Sequence, residues 1–393
     1  MTDVRLAWAY LSRVAEPPCA ALAALVGRVG PVEAAQRVRR GAVRTELRQL
    51  TSARRDADRA AEDLDRVTRL GGRLVTPEDA EWPVVPFAAF GGVDTRRHPG
   101  GIAPLALWVI GETTLAEVSQ RAAAVVGTRA ATPYGEHVAA DLAAGLCERD
   151  VAVVSGGAYG IDGAAHRAAL AVEGITVALL AAGVDVPYPA GHSALLQRIR
   201  ATGLLISEYP PGVRPARHRF LARNRLVAAL SGATVVVEAG FRSGAANTAA
   251  WARALGRVLC AVPGPVTSSA SAGCHALIRA GVELVTNADE IVEIVGRSGE
   301  LANPPDHPGT PLDQLSDDEK RVYEALPGRG TRSANELAVE SGLPVGHLQG
   351  QLAMLELAGL ATEDGGRWRL GNPQASSAPE QASDIRAAPR KSG

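Results

Sequence analysis

The chain reads as an α/β protein: a parallel sheet covered on both faces, with a helical domain before it and a winged helix after it. Three observations carry this reading. Between residues 71 and 296, short apolar runs closed by Gly, Pro or Ser alternate with Ala-rich helical stretches, the pattern of strands buried on both faces. Residues 1–70 repeat apolar positions at helical spacing. Residues 313–371 read as three helices followed by a hairpin.

In the first segment, LAWAYLSRV and CAALAALVGRVGPVEAAQRV are helical, punctuated by Pro17-Pro18 and Gly30-Pro31. A helix, a Gly turn and a second helix resemble a helix-hairpin-helix or SAM-like bundle. The stretch TSARRDADRAAEDLDRV is expected to be one solvated, charged helix.

The strands expected next lie in RLVTPEDAEWPVVP, PLALWVIG, RAAAVVGTR, VAVVSGG, TVALLAAG, LLISEYP, ATVVVEAG, RVLCAVPG and VELVT. Residues 297–312, rich in Pro and Gly, are expected to be a linker. Ser316 and Glu319 then frame a capping box. SANELAVESG and VGHLQGQLAMLELAG supply two more helices, and LATEDGGRWRL a hairpin turning at Asp364-Gly365-Gly366. Residues 372–393 are expected to form a disordered tail.

Composition narrows the function classes. At 393 residues the chain has room for several domains, and with 46% apolar and 21% charged residues it suits a soluble globular protein. No stretch reaches the roughly 18 apolar residues of a membrane span, and the N-terminus lacks a signal-peptide pattern, so a cytoplasmic location is expected. Four scattered cysteines without a C-x-x-C pair fit reduced thiols. No metal site is expected, since the histidines show no ligand spacing. Lys320 and Lys391 are the only lysines among 41 basic residues, so positive charge is almost all guanidinium, a planar fork suited to phosphate. Although the net charge is −1, residues 198–225 hold seven arginines against Glu208 alone.

Four loops carry special residues just after strands, where α/β sheets bind ligands. In the first, Gly127 permits a tight turn, Thr128 can cap the next helix, and Arg129 projects a fork beside that helix start. In the second, Ser155, Gly156 and Gly157 form a glycine-rich turn whose N–H groups can cradle phosphate. In the third, RPARHRFLARNRLVAAL, the candidates are Arg217, Arg219, Arg223, Asn224 and Arg225. In the fourth, Glu238 ends a strand and Ser243, Gly244 and Thr248 lead into a helix. Asp162 and His166 share a helix face and suit a cap and a packing contact better than acid–base chemistry. His218, between two arginines, suits a phosphate patch. Phe220, Tyr159 and Tyr188 are the aromatics near these motifs. Neither a dinucleotide fingerprint nor a P-loop is present, and no cofactor is expected.

The order VVGTRAATPYG, SGGAYGIDGAAH, AAGVDVPYPAGH, GLLISEYPPG, F-x-x-RNR, VVVEAGFRSGAANTA and VPGPVTSSASAGCHALIRAG closely resembles the Rossmann-like core of the DNA-processing protein A (DprA/Smf) family, over residues 73–295. The helical and winged-helix segments fit that family's layout. The resemblance implies a single-stranded-DNA-binding homodimer that protects the strand and loads RecA in DNA-mediated transformation. It also implies that Arg129 is the principal phosphate contact. One departure is Gly273-Cys274-His275, where many relatives carry a G-[ST]-N segment.

The SGG and SGxxxT loops also resemble those of LOG phosphoribohydrolases, a rival enzymatic reading. Those enzymes place a glutamate after a P-G-G-x-G-T segment, whereas no acid lies here between Glu238 and Cys260. Without it no general base is evident, and a binding protein without catalysis is expected. The presumptive recognition helix, residues 345–358, lacks Lys and Arg, so the winged helix is expected to contact protein rather than read DNA.

Overall fold

Continuous apolar runs bury both faces of a strand, and every run expected to hold a strand does so. The computed structural model describes residues 3–240, 243–296, 312–313 and 315–371. These fall into two units, residues 1–303 and 304–393.

The first unit opens with five helices, α1 Asp3–Val14, α2 Ala20–Val29, α3 Pro31–Arg39, α4 Thr45–Thr51 and α5 Ala60–Arg69. The charged stretch is therefore not one solvated helix. It breaks after Thr51, and α5 buries Leu64 and Val67 at i, i+3 spacing, with Asp63 neutralised by Arg13 at 2.5 Å. Nor do these helices own a separate core. Tyr10, Leu11 and Leu22 share one apolar cluster with Leu74, Trp108, Leu180 and Leu205 of the following segment.

The sheet follows: β1 Gly72–Val75, α6 Val84–Ala88, β2 Leu107–Ile110, α7 Leu115–Gln120, β3 Ala122–Val126, α8 Pro133–Cys147, β4 Ala152–Ser155 and α9 Ile161–Ala171. It continues through β5 Thr176–Leu180, α10 Ser193–Thr202, β6 Leu204–Ser207, α11 Arg217–Ala229 and β7 Ala233–Val236. It closes with α12 Gly244–Ala254, β8 Val258–Ala261, α13 Ala272–Arg279, β9 Glu283–Leu284 and α14 Ala288–Val295. The strand order is β1-β2-β6-β5-β4-β3-β7-β8-β9.

The sheet is not wholly parallel, because β2 runs antiparallel to both β1 and β6. A reversed strand near the edge of an otherwise parallel sheet is a common mixed arrangement. From β3 the chain winds outward through β4, β5 and β6; from β7 it winds the other way. The reversal between β3 and β7 is the topological switch point, where loops diverge and leave a crevice.

In the second unit, α15 Asp317–Ala325, α16 Ala334–Ser341 and α17 Val345–Leu357 pack with a sheet of β10 Arg332–Ser333, β11 Ala361–Asp364 and β12 Arg367–Leu370. The Ser316–Glu319 capping box is present. The wing turns at Gly365 and Gly366, both at positive φ, as a tight two-residue hairpin requires. The two-residue β10 was not legible in the sequence. The expected linker, apart from position 312, and the expected tail lie outside the described residues.

Candidate nucleic-acid interface

A cleft of about 390 Å³ opens at the switch point. The structure brings nine of the fourteen candidate residues to its walls: Gly127, Thr128 and Arg129 after β3, Gly156 after β4, Arg223 and Asn224 from α11, and Ser243, Gly244 and Thr248 at α12.

Backbone contacts fix these loops against one another. The Thr128 amide donates to the Glu238 carbonyl at 2.7 Å, and the Ile161 amide donates to the Thr128 carbonyl at 3.2 Å. At Gly160 the chain takes φ +73°, and a Cβ there would lie 2.3 Å from the Thr128 carbonyl oxygen. Only glycine fits. Thr132, not Thr128, caps α8, accepting from the Gly135 amide at 3.2 Å. The amide and hydroxyl of Thr132 donate to Glu238 at 2.9 and 2.6 Å, so this buried carboxylate fixes the start of α8.

The charge in the cleft is positive and partly buried. Arg129 is exposed and makes no ion pair among the described residues; its guanidinium lies 5.1 Å over the Phe220 ring. Arg223 is buried, and its Nη1 donates to the Leu179 carbonyl at 2.5 Å. Burial, with the nearby charge of Arg129, lowers its pKa to about 10 against the pull of Asp162. It stays protonated at neutral pH. Burial raises the pKa of Asp162, which faces Arg223.

The glycine-rich turn is not an open cradle, because Asp162 accepts from the Gly156 and Ala158 amides at 3.1 and 3.3 Å. Donors free for a ligand lie elsewhere. The Nε of Arg223 and the hydroxyl of Ser243 are buried with no hydrogen-bond partner among the described residues. The first turn of α12, at Gly244 and Ala245, also lines the cleft, and a helix N-terminus offers N–H groups and a favourable dipole to an anion.

The other five candidates do not line the cleft. Ser155 is buried and donates its hydroxyl to the Val125 carbonyl at 2.7 Å. Gly157, at φ +68°, shapes the turn. Arg225 is wholly buried, with Nη2 2.7 Å from Glu208 and Nε 3.1 Å from the Gly100 carbonyl. Arg219 is bound to Glu16 and lies over Tyr209. Arg217 is exposed at the start of α11 and makes no ion pair among the described residues. His218, expected in the phosphate patch, also reaches Glu16, at 3.1 Å.

The remaining singled-out residues are structural or peripheral. His166 is wholly buried against Thr176 at 2.7 Å, and burial lowers its pKa to about 3, so it is neutral. Cys274 is buried beneath the Val236 and Val237 carbonyls, and His275 reaches the Gly264 carbonyl at 3.0 Å. Tyr188 and Tyr159 are exposed, and Tyr188 packs on Phe220. The sequence reading overlooked how α11 meets the cleft. Phe220, Arg223, Asn224 and Val227 all line it, and their i, i+3, i+4, i+7 spacing was a readable signal. All four cysteines are free thiols. No group of three or more His, Cys, Asp or Glu among the described residues is placed to hold a metal ion, and no helix among them is long and apolar enough to cross a membrane.

A family model for DNA recombination-mediator protein A matches residues 73–296. The chain belongs to the DprA family. A model for the DprA winged helix domain matches residues 305–367. A DNA processing protein DprA of Mycobacterium tuberculosis is 71% identical over 364 residues, spanning 93% of this chain and 94% of that protein. Protein Smf of Escherichia coli is 38% identical over 284 residues, spanning 70% and 73%. The X-ray structure of DprA from Streptococcus pneumoniae superposes with a TM-score of 0.61 at 28% identity, covering 76% of this chain and 99% of that one. The family, the Rossmann-like core and the winged helix read from the sequence are borne out.

Proposed function

We propose that this DprA-family chain binds single-stranded DNA in the switch-point cleft, protects it, and passes it to RecA during DNA-mediated transformation or recombination. The protein acts in the cytoplasm as a homodimer and performs no chemistry of its own. One observation carries the reading: Arg129 stands exposed, with no ion pair among the described residues, at the mouth of a cleft that also holds the Arg223 charge and the first turn of α12. That set of donors recognises a phosphodiester anion. Phe220, held between Arg129 and Tyr188, offers an aromatic edge for an unstacked base.

The enzymatic alternative has little to build on. Glu238 is occupied by Thr132, and Asp162 by the Gly156 turn, so neither carboxylate is free to serve as a general base. The winged helix serves a protein contact: Arg367 is held by Thr331 and Glu336, and Met354 and Leu357 are exposed on α17. A gel-shift series comparing single-stranded with double-stranded oligonucleotides over increasing salt tests the reading. Preferential, salt-dependent retention of the single strand is expected; equal or absent retention overturns it.

A further inference from the structure

The N-terminal helices carry a charge that the cleft does not use. Residues 1–70 hold thirteen arginines against nine carboxylates, in a chain of net charge −1. The excess is concentrated in residues 28–48, with six arginines against Glu33 and Glu46. Arg37 is taken by Glu33, and Arg39 by Asp58 and the Tyr10 ring. Arg40, Arg44 and Arg48 at the α3–α4 elbow are exposed, and among the described residues none pairs with a carboxylate. Arg40 hydrogen-bonds Gln36, and Arg48 the Val43 carbonyl.

Contacts joined by adjacent residues of the chain lead from the cleft to this elbow. Arg129 lies over Phe220. The neighbouring Arg219 grips Glu16, which also holds Arg54 at 2.8 Å. Arg55 follows, with Nη1 only 3.1 Å from where a Cβ on Gly41 would sit, and Arg40 precedes that glycine. Arg214 and Arg217, exposed without ion pairs among the described residues, flank the cleft end of this track. Most of its carboxylates are engaged, Glu16 as above, Asp56 by Arg55 and Asp58 by Arg39, while the exposed Glu46 makes no ion pair among the described residues. The track therefore presents net positive charge.

We propose that the α3–α4 elbow is a second backbone-phosphate site, over which a single strand held in the cleft continues. The inference rests on the cleft reading above. Unpaired guanidinium groups without an aromatic platform bind phosphate rather than base. Continuity with the cleft favours the same nucleic-acid strand over a separate acidic protein. The elbow then contributes only when the strand is long enough to reach it.

The test is fluorescence anisotropy with oligothymidylates of about 6 and about 30 nucleotides, the shorter filling the cleft alone. The triple substitution Arg40→Gln, Arg44→Gln, Arg48→Gln should weaken binding of the long strand by about tenfold and flatten its salt slope by about 0.7 per lost contact, leaving the short strand unaffected. The single Arg44→Gln, at a side chain bonded to nothing among the described residues, should show the same selectivity at about one third of the slope change, and guards against misfolding of the triple. Equal weakening of both strands, or none, overturns the proposal. Failure of the wild-type protein to bind the short strand defeats the cleft reading instead.

Discussion

Arg219 lays its guanidinium on the Glu16 carboxylate, with Nε 2.6 Å from one oxygen and Nη2 3.0 Å from the other. This pair joins the loop after α1 to α11, the helix that walls the cleft. Burial alone would raise the pKa of Glu16, but hydrogen bonds from Arg219, Arg54 and His218 hold it at about 2. A carboxyl depressed in the folded state stabilises the fold above its unfolded pKa and loses that contribution as pH falls. Stability should therefore drop as pH goes from 4.5 toward 2, and Glu16→Gln should remove that part of the dependence. At neutral pH the substitution should cost about 1.5–3 kcal/mol, measured by urea denaturation.

His166 makes a second pH prediction at a higher window. Its folded pKa of about 3 lies below the ordinary imidazole value of 6.5, so the unfolded chain takes the proton first. Stability should be complete above pH 6.5 and fall as pH drops toward 3. His166→Gln should flatten urea midpoints across that range, with no change in the slope below it.

Arg225 is a stability residue. Its partner Glu208 is buried with it, and removing one member of a buried pair leaves the other charge uncompensated, at a cost of about 3–5 kcal/mol. Arg225→Ala should lower the denaturation midpoint sharply, whereas the folded fraction should bind single-stranded DNA as tightly as wild type.

The contrast between Arg223 and Arg225 shows where the sequence stops being informative. The two arginines of RNR look alike in sequence, yet residues two apart on a helix point about 200° apart. One therefore meets the cleft with Phe220 and Val227, and the other meets Glu208. That partner comes from the end of β6, and nothing local announces it. The nine strands were legible because each apolar run is closed by a turn former. The reversal of β2 was not, because strand direction is set by long connections. Pro133 at the first position of α8 was a readable sign that Thr132, rather than Thr128, is the cap.

Truncation after Val295 should leave single-strand affinity within about tenfold, roughly 1.4 kcal/mol. The recognition helix has no cation, and Arg367 is held by Glu336 at 3.1 Å. A larger loss, with self-association unchanged, would assign DNA binding to the winged helix.

Arg129→Ala, measured by anisotropy with a short oligothymidylate at moderate salt, addresses the cleft itself. The side chain is exposed and touches the Phe220 face, so folding should be unchanged by circular dichroism. A charge-assisted phosphate contact contributes about 1.5–3 kcal/mol, so affinity should fall by about tenfold or more. A folded Arg129→Ala protein that binds the strand as tightly as wild type would contradict the assignment of the cleft as the DNA site.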